Sequence, residues 1–237
     1  MIIMKTVILC GGFGTRLSEE TSIKPKPMVK IGKLPILHHI INLYNKHGYK
    51  EFILALGYKG YYIKNYFKNK KFKNIKIHLI DTGRKTLTGG RLLRLKKFFS
   101  KNENFMLTYG DGISNQNLNK LEKFHLKHKR IATMTVVRPP VRFGEVKLKK
   151  NLVSMFKEKP QASNSWINGG FFILNAKIFK FIKNDYTMLE KEPLEKLQKR
   201  RELYAFKHRK FWQCMDTLRD KNYLNNLYKN KKLYWLK

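Results

Sequence analysis

The sequence predicts an α/β fold with a doubly wound, mostly parallel, Rossmann-like sheet and a smaller mixed portion after it. Short β-branched runs alternate with helical patterns of about a dozen residues over 1–140. The first run ends in a glycine turn, and the pattern changes after Arg138-Pro139-Pro140 to short alternating segments. No linker, internal repeat or low-complexity tract interrupts the 237 residues, so one composite domain is expected, with halves at 1–140 and 141–237.

Residues 2–10 read as a buried parallel strand because they are apolar, β-branched and closed by Gly11-Gly12. Residues 35–47 place Ile36, Ile40 and Leu43 at helical spacing between Pro35 and a stop at Gly48. Strands are expected at 51–57, 75–81, 104–109 and 131–137, and helices at 92–99 and 117–128, the latter from Leu118, Leu121 and Phe124. The second half offers strand-like segments at 144–148, 152–156 and 166–175, then helical stretches at 176–184, 188–200 and 217–229.

Composition excludes several classes. Hydrophobic residues make up 42% and aromatics 13%, too much apolar material for a disordered chain. No apolar run approaches the ~18 residues of a membrane span. Cys10 and Cys214 lack metal-type spacing and imply no disulfide framework, which suits a reducing, cytoplasmic setting. The net charge of +35 comes from lysines spread through helices and loops, although 64–76 holds six of them. Such a spread reads as a solvated surface that attracts phosphate anions, with neither a specific nucleic-acid site nor a membrane site.

Chemistry concentrates in the first βα turn, Leu9-Cys10-Gly11-Gly12-Phe13-Gly14-Thr15-Arg16. Glycines after a strand bring backbone N–H groups close to an anion. The spacing matches neither the dinucleotide fingerprint nor the P-loop. In Lys24-Pro25-Lys26-Pro27 two prolines stiffen the chain, so Lys26 and Arg16 can meet one anion, while Lys24 reads as solvated. Asp111, between Gly110 and Gly112, sits where a strand ends at the carboxyl edge of the sheet, the usual ligand edge of α/β folds. Asp216 precedes Thr217-Leu218-Arg219-Asp220 and could instead cap a helix. Arg94 reads as helix surface, and His38-His39 as packing or solvent residues.

The pattern Gly-Gly-x-Gly-Thr-Arg-Leu followed by Lys-Pro-Lys-Pro-Met resembles the signature of the sugar-1-phosphate nucleotidyltransferases. The cytidylyltransferase branch is the most similar, through Thr88-Gly89-Gly90-Arg91-Leu92, Tyr109-Gly110-Asp111-Gly112, Phe156-Lys157-Glu158-Lys159-Pro160, Ile167-Asn168-Gly169-Gly170 and Met215-Asp216-Thr217. This resemblance, over 4–228, implies the nucleotide-diphospho-sugar transferase type of fold. It also implies transfer of a cytidylyl group from CTP to glucose 1-phosphate, giving CDP-glucose and pyrophosphate for surface polysaccharide synthesis.

The resemblance places Leu9, Cys10, Gly11, Gly12 and Phe13 around base and ribose, and Gly14, Thr15 and Arg16 on the phosphates. Arg16, Lys26 and Asp111 are the implied catalytic residues. Thr86, Arg91 and Gly110 border the nucleotide; Lys159, Asn168 and Gly169 border the sugar phosphate; Asp111 and Asp216 hold Mg²⁺. A homo-oligomer is implied, hexameric in the family, but the segment from 66 to 81 is shorter here. Ile31-Gly32-Lys33, Val141-Arg142-Phe143 and Lys210-Phe211-Trp212 each carry a larger residue where the family has a small one. A different triphosphate or sugar phosphate remains the nearest alternative, and a non-catalytic polyanion binder a more distant one.

Overall fold

The computed structural model describes residues 4–68, 72, 74–139, 145–157 and 165–236. Its strands are β1 (Thr6–Leu9), the short pair β2 (Lys30–Ile31) and β3 (Leu34–Pro35), β4 (Glu51–Leu56), β5 (Lys76–Asp81), β6 (Asn104–Tyr109), β7 (Gly112–Ser114), β8 (Ala132–Val137), β9 (Glu145–Lys149), β10 (Leu152–Lys157), β11 (Ile167–Asn175), β12 (Leu203–His208) and β13 (Trp212–Cys214). The helices are α1 (Ser18–Thr21), α2 (Ile36–Lys46), α3 (Gly60–Lys68), α4 (Thr88–Arg94), α5 (Leu118–His128), α6 (Glu192–Lys199) and α7 (Leu218–Lys229).

Seven strands form one sheet in the order β12-β8-β11-β6-β1-β4-β5. Every pairing is parallel except those of β11, which runs antiparallel to β6 and β8. Both halves of the chain therefore share one sheet. Alternation along the strands sends Ile8, Phe52, Leu54, Met106 and Phe171 to one face, where α2, α5 and α7 cover them. Val7, Leu9, Ile53, Phe105, Leu107 and Phe172 turn to the other face, beneath α4 and α6. Burial on both faces explains why these strands read as continuous apolar runs.

The expected strands at 51–57, 75–81, 104–109 and 131–137 are present with ends moved by a residue at most. Helix α4 starts at Thr88, four residues before the expected 92, and gives way to a 3-10 turn at Lys96–Phe98. The expected helix at 176–184 is a 3-10 segment, Ala176–Phe181. That at 188–200 begins only at Glu192, because Pro193 marks its first turn and the chain before it bonds to α4. Sequence reading missed α3, the edge strand β12, and β7 with its partner β13. The 3-residue strands β7 and β13 are too short to show a pattern, yet their pairing governs the site.

Helix α7 opens with a complete capping box: the Thr217 hydroxyl accepts from the Asp220 N–H, and the Asp220 carboxylate accepts from the Thr217 N–H. The cap is Thr217, so Asp216 is released from the helix and left for the site. Replacing Thr217 by Ala is expected to lower stability by about 1 kcal/mol. A fall in the urea midpoint at unchanged slope checks this; an unchanged midpoint contradicts the cap.

Candidate active site

A cavity of about 620 Å³ lies along the carboxyl edge of the sheet, lined by the glycine loop, Lys26, Thr86, Arg91, Tyr109, Asp111, Asn168, Glu190, Trp212 and Asp216 among others. Three chain segments build its reactive end. The first is the glycine loop. Cys10 N–H closes onto Ala55 O at 2.9 Å, while the N–H groups of Gly11, Gly12, Phe13 and Gly14 donate to no group among the described residues. These donors border the cavity, as an anion cradle requires.

The glycines of this loop serve different ends. Only Gly14 has the left-handed backbone, with φ of 69°. Gly11 makes room for a side chain distant in sequence: a Cβ there would fall 2.2 Å from the Arg91 guanidinium. Arg91 is buried and donates to Leu56 O (3.0 Å), Thr82 Oγ1 (2.9 Å), Gly83 O (2.7 Å) and Gly11 O (2.8 Å). It thus clamps the loop to the end of β4. Burial pushes its pKa down, opposed by the Asp81 charge. Gly89 and Gly90, which precede the helix expected at 92–99, lie inside α4. Cβ atoms there would strike Thr187 O and Asp185 O, so these glycines let the 185–189 chain pack against the helix.

The second segment is Lys24-Pro25-Lys26-Pro27. The turn Lys26–Met28 starts at extended Pro25, and Pro27 packs against Gly110, where a Cβ would come within 2.8 Å of the proline ring. Lys26 is 8% exposed and enters the cavity from beneath the loop. Lys24 pairs with Glu20 at 3.0 Å on the surface rather than standing free.

The third segment brings together Asp111 and Asp216. Strand β13 pairs antiparallel with β7, matching Cys214 to Gly112, and Met215 N–H donates to Asp111 O at 2.8 Å. Both carboxylates bond the Lys26 ammonium, Asp111 Oδ2 at 2.7 Å and Asp216 Oδ1 at a shorter distance. Arg16, largely exposed, donates to Asp216 Oδ2 at 2.6 Å. Two carboxylates aimed at one cation form a small, oxygen-only donor set, which fits a hard divalent ion with other positions left for water or phosphate. Among the described residues no group of three or more His, Cys, Asp or Glu could hold a metal.

Burial alone would lower the Lys26 pKa, but Asp111 and Asp216 hold it above its ordinary value. Burial likewise opposes ionisation of Asp216, and the Lys26 and Arg16 charges overcome it, so its pKa is depressed. The cysteines contribute no nucleophile. Burial pushes the Cys10 thiol far up, and burial with the Asp216, Asp111 and Asp220 charges pushes Cys214 up to about 12. Both remain protonated at neutral pH.

Of the expected site residues, Leu9 to Arg16, Lys26, Thr86, Arg91, Gly110, Asp111, Asn168, Gly169 and Asp216 all line this one cavity. Lys159 lies outside the described residues, as do Arg142, Phe143 and Gly144. Arg94 is exposed on α4, as expected for helix surface, and pairs there with Asp185. His39 packs inside, its Nε2 bonded to Ile31 O at 3.0 Å and its Nδ1 accepting from the Trp235 indole N–H at 3.1 Å. Sequence reading missed Thr88, Tyr109, Met188, Glu190 and Trp212, which also line the cavity. Tyr109 stood inside a recognised motif; Glu190 carried no motif signal.

A glycine anion cradle, two inward cations and two converging carboxylates at a sheet's carboxyl edge define a phosphate-handling α/β protein. The family model described as nucleotidyl transferase matches residues 5–231. The chain is 46% identical to the glucose-1-phosphate cytidylyltransferase of Salmonella typhimurium, with 98% of each chain covered. It is 40% identical to a probable glucose-1-phosphate cytidylyltransferase of Bacillus subtilis, covering 98% of this chain and 99% of that one. Among solved structures, HddC from Yersinia pseudotuberculosis complexed with GMP-PN superposes with a TM-score of 0.76 at 25% identity, covering 95% and 99%. The chain belongs to the nucleotidyl transferase family.

The ion pairs set the acid behaviour of the site. Asp216 has a folded pKa below its unfolded value of roughly 4. Its contribution to stability is therefore complete above that value and lost as pH falls through the folded one. Lys26, raised in the fold, contributes below roughly pH 10.4 and loses that contribution as pH rises. In Lys26→Met the Asp216 titration, followed by carboxyl-carbon NMR, is expected to move upward, with a shallower loss of Tm below pH 5. An unchanged midpoint would show that the pairing does not govern Asp216.

Proposed function

We propose that this protein transfers a cytidylyl group from CTP to α-D-glucose 1-phosphate, releasing pyrophosphate and CDP-glucose. The observation that carries the reading is the 46% identity to a glucose-1-phosphate cytidylyltransferase over 98% of both chains. The cavity adds chemical support, since it joins cations, free backbone donors and a carboxylate pair.

In this reading a phosphate oxygen of the sugar phosphate attacks the α-phosphorus of CTP. The bond from that phosphorus to the bridging oxygen breaks, and its electron pair leaves with pyrophosphate. No covalent enzyme intermediate is needed, which agrees with two protonated cysteines. Catalysis then consists of alignment and charge neutralisation. The glycine-loop N–H groups and Arg16 hold the triphosphate, Arg16 on the departing end. Lys26 turns from the aspartates toward the reacting phosphates. Asp111 and Asp216 are the residues that would hold Mg²⁺, which would supply positive charge to the phosphate oxygens. Arg91 keeps the loop in place, and Asn168 and Gly169 border the sugar.

Phosphate anions also suit the +35 surface, whose field draws them in more strongly at low salt. Among the described residues no helix is long and apolar enough to cross a membrane. We expect the protein to work in the cytoplasm and to supply surface polysaccharide synthesis.

Pyrophosphate release from glucose 1-phosphate with CTP, UTP, dTTP and GTP in turn, with Mg²⁺ and with EDTA, tests the reading. CTP is expected to exceed the others in kcat/KM by at least about 100-fold, and EDTA to abolish turnover. A preference for another base, or turnover indifferent to EDTA, would overturn it.

A further inference from the structure

Within the same cavity, one carboxylate ties α4 to the end of β6. Glu190 Oε1 accepts from the Tyr109 hydroxyl at 2.5 Å, and Oε2 accepts from the Thr88 hydroxyl at 2.6 Å. Thr88 opens α4, three residues before Arg91, and its oxygen accepts from Leu189 N–H at 2.9 Å. Tyr109 ends β6, two residues before Asp111. Its hydroxyl accepts from Asn168 Nδ2 at 3.4 Å, while Asn168 Oδ1 is held by Gly170 N–H at 2.8 Å. Each member thus has a fixed orientation.

An ionised carboxylate offers about four lone-pair directions, and two of those on Glu190 are taken by Tyr109 and Thr88. Asn168 keeps one amide hydrogen beyond the one given to Tyr109. Glu190 and Asn168 both line the cavity, so an acceptor and a donor stand fixed around the same space. Ile167, Met188 and Trp212 supply apolar walls there, and the Trp212 indole is anchored by its bond to Gly169 O at 2.7 Å. Fixed acceptor, fixed donor and apolar walls that include the anchored Trp212 ring suit a ring that carries hydroxyls on its rim and C–H groups on its face.

We propose that Glu190 is a specificity-determining residue of the sugar subsite: its carboxylate accepts a hydrogen bond from one hydroxyl of the sugar phosphate, with Asn168 donating beside it. The inference rests on the sugar phosphate being a substrate, as proposed above. A sugar lacking that hydroxyl, or presenting it with the other stereochemistry, leaves a partly buried carboxylate short of a donor, and discrimination follows from that loss. The Thr88 contact gives the same carboxylate a link to the helix that carries Arg91.

The test compares wild type, Glu190→Gln and Thr88→Ala on glucose 1-phosphate and its 2-, 3-, 4- and 6-deoxy analogues. In wild type one analogue is expected to lose about 100-fold in kcat/KM relative to the parent. In Glu190→Gln the KM for glucose 1-phosphate should rise by about tenfold, the KM for CTP should stay within about twofold, and the penalty on that analogue should largely vanish. Thr88→Ala, which cuts only the link to α4, should keep the penalty. The inference falls if Glu190→Gln keeps the full penalty, if it raises both KM values alike, or if Thr88→Ala removes the penalty equally. Calorimetric binding of glucose 1-phosphate separates the two readings. Wild-type binding that Glu190→Gln weakens supports the subsite even without cytidylyl transfer, whereas unweakened binding overturns it whatever the triphosphate preference.

Discussion

The Lys26 ammonium between Asp111 and Asp216 is the contact on which the rest of the site depends. Two carboxylates this close repel unless a cation lies between them. Lys26 fills that place and bonds both, although burial disfavours its charge. Under the function proposed above, a phosphate would draw the ammonium away and a divalent cation would take its place between the oxygens.

Backbone geometry makes that contact possible at long range. Asp111 and Asp216 are carried on neighbouring strand ends by the β7–β13 pairing, and the Thr217 cap turns the chain away immediately after Asp216. Pro25 and Pro27 stiffen the approach of Lys26, with Pro27 seated on the space left by Gly110. On the other side Arg91 fastens the glycine loop to the end of β4, through the space that Gly11 leaves. Relief of crowding at Gly110 and Gly11, more than chain flexibility, therefore shapes the cavity.

Much of this was legible in the sequence where a local rule applied. The strand preceding the glycine loop, the amphipathic helix over 35–47 and the aspartate at the end of 104–109 each follow from period, punctuation or the carboxyl-edge rule. What escaped depends on partners distant in the chain. Gly11 looks like a turn glycine until Arg91 is seen against it, and Gly89 and Gly90 look like loop residues until the 185–189 chain is placed on α4. Glu190 belongs to no spacing rule because Tyr109 and Thr88 reach it from other elements. Resemblance supplied the pairing of Asp111 with Asp216, since 3-residue strands such as β7 and β13 leave no periodic trace.

The proposal that these two aspartates share one divalent ion has a direct test in Mn²⁺ binding, followed by electron paramagnetic resonance at saturating CTP, with CTP alone as the blank. Wild type is expected to bind one protein-dependent ion per chain, and Asp111→Asn and Asp216→Asn each to weaken it by at least about tenfold. Binding of undiminished affinity in either variant, with the fold intact, would contradict a shared site.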